Sequence, residues 1–109
     1  MATRVPVLAL LVLAVAGGCA PWQGARLYRS GTQALDRGES ALAIDELERA
    51  AQLVPEASEV QNHLGLAYQA AGRDEEAHRA FERAVALDCD NRAAQENLAV
   101  AELRRRQGP

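Results

Sequence analysis

Two cysteines, two histidines and a scatter of carboxylates carry what reactive or metal-binding chemistry this 109-residue sequence holds. Cys19 and Cys89 could pair as a disulfide in an oxidising compartment, and the even cysteine count invites that reading. His63 and His78 stand fifteen residues apart with no HExxH or similar zinc pattern around them, so no metal site is expected. Cys89 has no CxxC partner, and neither a Gly-rich phosphate loop nor a Ser nucleophile elbow occurs. Glu75, Glu76 and Glu82 alternate with arginines at three or four residues, the pattern of a solvated helix face. The sequence predicts no enzyme and no cofactor, which leaves function to a surface or an attachment.

The elements that would position these residues are helices. Alanine is abundant, aromatics make up only 4%, and Leu, Glu, Gln and Arg dominate the remainder, a mixture of good helix formers with few β-branched residues. At this length the chain is one domain. The formal charge of −3 becomes −4 if a leader containing Arg4 is removed, so nothing points to nucleic acid. All twelve basic residues are arginine, a bias on which no site is built.

The start of the chain reads as a leader. A basic start, Met1 to Arg4, precedes an apolar stretch from Val5 to Ala16 and then Gly17, Gly18 and Cys19. The stretch has the length of a secretory apolar region and falls short of the ~20 residues that span a bilayer. Ala16-Gly17-Gly18-Cys19 resembles the lipobox of bacterial lipoproteins, although Ala16 stands where leucine is usual. The resemblance implies removal of residues 1–18 and lipidation of Cys19; an incidental thiol after a removed leader and an uncleaved anchor are the alternatives. Two or more acyl chains, at ~0.8 kcal/mol per buried methylene, would hold the protein on a membrane essentially permanently. A lipidated Cys19 cannot pair with Cys89, which is then expected as a partly buried free thiol at a turn or as one half of a mixed disulfide. In that family a non-acidic residue after the cysteine, here Ala20, goes with the periplasmic face of the outer membrane. Residues 19–24 would form a short tether, with a maximum reach of ~18 Å for about five extended residues, and Trp22 would lie at the interface.

The rest of the chain repeats with a period of 34. Shifted by that distance, Gly31 falls on Gly65, Gly38 on Gly72, Ala43 on Ala77, Leu47 on Phe81, Ala50 on Ala84 and Leu53 on Leu87. The second unit carries Leu64-Gly65, Tyr68, Ala77, Phe81 and Ala84 in an order that resembles the tetratricopeptide repeat (TPR). Gly38 and Gly72 suit helix ends, Ser40 and Asp74 can cap the helices that follow, Ser58 with Gln61 fits a capping box, and Asn91 or Asp90 can start the last helix. Helices are predicted near 25–37, 41–54, 58–71, 74–88 and 91–106. The fold expectation is all-α: a short TPR-type solenoid with one repeat over 25–57, a second over 58–91, and a capping helix with its tail over 92–109. On that last helix Ala94, Leu98 and Ala101 form an apolar stripe, and Arg104 to Arg106 meet the negative end of the helix dipole.

The resemblance implies that partners bind the face formed by the first helix of each repeat. Its positions here are Tyr28, Thr32 and Leu35, then Asn62, His63, Leu66 and Gln69, then Glu96, Val100 and Leu103. Such a mixed lining suits an amphipathic helix or extended peptide. The family's chaperone-binding carboxylate clamp is not expected, because Tyr28, Thr32, His63, Ala93 and Asn97 occupy its positions. The combined reading is a lipid-anchored adaptor or scaffold in the cell envelope, similar to repeat-containing lipoproteins that assemble pili and secretins. A homo-oligomerising structural protein and an accessory subunit of an envelope or peptidoglycan enzyme are the alternatives.

Overall fold

The computed structural model describes the backbone of residues 7–108 and the side chains of residues 20–108. The first residues of the expected leader and the Cys19 side chain lie outside what is described. Among the described residues the chain forms five α-helices and no strand: α1 Val7–Asp36, α2 Ser40–Leu53, α3 Ser58–Ala70, α4 Asp74–Leu87 and α5 Arg92–Gln107. α1 packs on α2 and α3 on α4 as two hairpins, and α2–α3 and α4–α5 contacts stack them in chain order. α1 also meets α3, and α3 meets α5, which aligns the first helices side by side. The architecture is an all-α, TPR-like solenoid of two helix pairs and a closing helix.

Four helices start and stop within two residues of their predicted bounds, and α1 does not. It begins at Val7 rather than near 25 and runs through Pro21 without a break. Proline removes one backbone donor, and the helix continues past it even with Gly17, Gly18 and Gly24 on either side. The 19–24 segment is therefore helical rather than an extended tether. At about 1.5 Å per residue its five steps advance the chain by roughly 7.5 Å, not 18 Å.

The two hairpin turns share one device. Gly38 and Gly72 adopt φ of 77° and 75°, the left-handed conformation that costs glycine nothing. Around them Glu39 N–H donates to Ala34 O at 2.9 Å and Arg73 N–H to Tyr68 O at 2.8 Å, which satisfies carbonyls that the helix ends leave free. The predicted caps fare differently. Ser40 and Asp74 are the first residues of their helices, and neither preceding residue makes a side-chain cap. Ser58 is no capping-box residue either: its hydroxyl donates to Ala84 O at 2.8 Å and accepts from Asn91 Nδ2 at 2.8 Å, joining three helix ends. Asn91 does cap α5, accepting from Ala94 N–H at 3.1 Å.

The core runs between the hairpins and is built mostly from small residues. Ala34, Ala43, Ala67, Ala77, Ala80 and Ala101 surround the fully buried Leu47 and Phe81. Each large side chain fills the space over a glycine on the partner helix. A Cβ on Gly31 would stand 2.7 Å from Leu47 Cγ, and one on Gly65 would overlap the Phe81 ring. The 34-residue pairing of Gly31 with Gly65 and of Leu47 with Phe81 is thus a packing requirement, glycine admitting the bulk opposite.

Candidate functional site

The first-helix face is built by α1, α3 and α5, and its members at the two ends behave differently. Tyr28 on α1 and His63 on α3 meet edge to face, ring centroids 5.3 Å apart, with the Tyr28 hydroxyl 3.2 Å from His63 Nδ1. The same Nδ1 lies 3.0 Å from Glu59 O. Burial, with Glu59 nearby, pushes the Tyr28 phenol above its ordinary value, so it stays protonated and available for hydrogen bonding. Asn62 is buried, and its Oδ1 accepts from Asn97 Nδ2 at 2.9 Å across to α5. Thr32 turns its hydroxyl back to Arg29 O at 2.9 Å. Leu35 and Leu66 are half-buried against the core, and Gln69 is half-buried at the far end of α3.

Of the face predicted from sequence, then, Tyr28, His63 and Asn62 join neighbouring first helices, and Leu35 and Leu66 back onto the core. Glu96, Val100 and Leu103 on α5 are exposed, the last two with 47% and 57% of their surface open. They stand one repeat beyond Asn62, Leu66 and Gln69, so the same stripe that is stitched on α3 is open on α5. Cys89 is unpaired and exposed rather than partly buried.

A second constellation went unnoticed in the sequence. Between α4 and α5, His78 is buried, with its Nε2 2.6 Å from Glu102 Oε1 and its Nδ1 3.7 Å from Glu82 Oε2. Arg105 lies over the same imidazole and donates from Nε to Glu75 Oε1 at 3.0 Å. The hydrogen bond from His78 holds the Glu102 carboxyl below its usual range, with Arg105 and Arg106 adding to the effect. The four-residue spacing of His78 and Glu82 is visible in the sequence; that Glu102 joins them follows only from stacking α5 on α4.

No helix among the described residues is long and apolar enough to cross a membrane. Paired helices at a 34-residue period, closed by a single helix, define a TPR-like solenoid. Residues 58–91, the whole of α3 and α4, match the tetratricopeptide repeat family. No curated protein matches the chain. The repeat points to a role in protein–protein interaction.

Proposed function

We propose that the protein is a membrane-anchored adaptor, lipidated at Cys19, whose first-helix face binds a protein partner close to the bilayer. The observation that carries the binding role is the tetratricopeptide repeat over 58–91, flanked by α1 and α5 so that three first helices lie side by side. Support for the anchor comes from the leader and the Gly17-Gly18-Cys19 junction. Support for a partner near the membrane comes from α1, which continues as one helix from residue 19 into the repeat and so couples anchor to domain with little slack. Trp22 is 65% exposed, with the Arg26 guanidinium 5.2 Å from its ring centre, an amphipathic pair suited to a headgroup layer. The setting is the periplasmic face of an outer membrane, in the assembly of an envelope machine such as a pilus or secretin. Replacing Cys19 by serine should release the folded protein from membranes; a variant that stays membrane-bound through an alkaline wash contradicts the lipid anchor.

One observation favours a second reading, self-association. Among the described residues no helix packs on the outer side of α5, and Val100 and Leu103 are exposed on it. Light scattering across a concentration series separates the readings, since a monomer at high concentration excludes self-association as the function.

A further inference from the structure

The seam between α4 and α5 holds a ligand set that the repeat geometry does not require. Thirty-four residues earlier, the positions of His78, Glu82 and Glu102 are Ile44, Glu48 and Tyr68, which close the α2–α3 seam with a buried isoleucine and a phenol. At the second seam the same positions bring one imidazole and two carboxylates together, with one donor atom from each within 4.8 Å of the others. We propose that His78, Glu82 and Glu102 form a divalent-metal site, suited to Zn²⁺, that clamps α5 onto the second repeat.

The chemistry fits this class of ion. Imidazole nitrogen and carboxylate oxygen are both zinc ligands, and three protein ligands leave a fourth position for water. Zinc ligands at about 2.0–2.2 Å in a tetrahedron sit about 3.3 Å from one another. One nitrogen and one oxygen from each carboxylate already lie within 4.8 Å of one another, so the widest separation has to close by about 1.5 Å at most. Only one ring nitrogen can take the metal, so one carboxylate must swing toward it. Glu82 and Glu102 are 54% and 42% exposed and have room to do so, whereas His78, at 6%, is the fixed point. Arg105 is the competing cation. Its Nη1 is 3.3 Å from Nε2 and 3.5 Å from Nδ1, so it must give way where the metal takes a ring nitrogen. Glu75, paired with Arg105, and Arg106, whose charge reaches Glu102, complete the charged groups around the site.

The test uses the full chain carrying C19S and C89S, so that no thiol binds metal, stripped with chelator and titrated with Zn²⁺ by calorimetry and with Co²⁺ by visible absorption. One equivalent is taken up, the Co²⁺ form shows the strong bands of a low-coordinate site, and added Zn²⁺ raises the thermal midpoint. E82Q, a change at an exposed side chain, weakens uptake by more than the roughly tenfold that loss of an outer partner costs, and E102Q does the same. R105A tightens it. Uptake weakens with acidification, because a protonated imidazole has no lone pair to give. The proposal is overturned by a folded chain, checked by circular dichroism, that takes up no metal saturably, or by uptake that E82Q and E102Q leave unchanged.

Discussion

The two seams of this solenoid occupy equivalent positions and differ in the residues at their polar contact. At the α2–α3 seam, Tyr68 is buried in the same core cluster as Ile44 and donates its hydroxyl to Glu48 Oε1 at 2.6 Å, while the Arg73 guanidinium lies 4.8 Å from its ring centre. At the α4–α5 seam, the position of Tyr68 is taken by Glu102 and that of Ile44 by His78, so beside the buried Ala94 and Ala101 and the packed Leu98 the contact includes a hydrogen bond between His78 and the Glu102 carboxylate. The first seam rests on a buried ring, whereas the second carries charge beside a helix most of whose residues are exposed. The first should therefore be strong and insensitive to salt, the second weaker and responsive to pH, salt and ions.

The sharpest way to break the comparison is to truncate its anchor. Tyr68→Ala should cost about 3–5 kcal/mol in denaturant unfolding, as removal of a buried aromatic does. If Glu102→Ala proves equally costly, the two seams are not different in kind. Next in size, Gly65→Ala pushes a methyl into the fully buried Phe81 ring and should cost about 1–3 kcal/mol. Gly31→Ala should cost less, since the Leu47 side chain opposite can change rotamer. Tyr68→Phe keeps the ring and loses the bond to Glu48, for about 1 kcal/mol.

The pH effects fall on opposite sides of neutrality. Burial, then the hydrogen bond to Glu48, push the Tyr68 phenol up to about 12, against 10 for free tyrosine. Its folded state resists ionising, so the stability it adds is present below pH 10 and lost as the pH climbs from 10 through about 12. Glu102 is depressed below its ordinary 4.5, so its contribution is present above 4.5 and lost as the pH falls through the lower folded value. Melts across pH should show Tyr68→Phe removing part of the alkaline loss and Glu102→Gln part of the acid loss, each leaving the other limb in place.

Much of this was legible in the sequence, and for identifiable reasons. Gly31 and Gly65 with Leu47 and Phe81 announced the hairpin packing because a close approach admits few residue types. Gly38 and Gly72 announced the turns because the left-handed conformation does too. Ser40, Asp74 and Ser58 misled because a hydroxyl or carboxylate near a helix start has several uses, and Ser58 found its partners on α4 and beside α5. The extension of α1 back through Pro21 was not legible, because Gly17, Gly18, Pro21 and Gly24 are all poor helix formers. Of the first-helix face, the periodicity placed the residues, but which would be consumed in stitching helices together depended on pairs such as Tyr28–His63 and Asn62–Asn97, 35 residues apart. The His78 cluster was half legible, since its third member arrives only when α5 docks.

The claim that the first-helix face is the partner surface is tested most directly by site-specific photo-crosslinking in cells. A photoreactive residue is placed at Gln69 on α3 and, for comparison, at the exposed Arg79 on α4. Position 69 should give a discrete adduct to a second protein and position 79 none. Adducts from position 79 alone, or adducts from position 69 whose masses are only whole multiples of this chain, would contradict it.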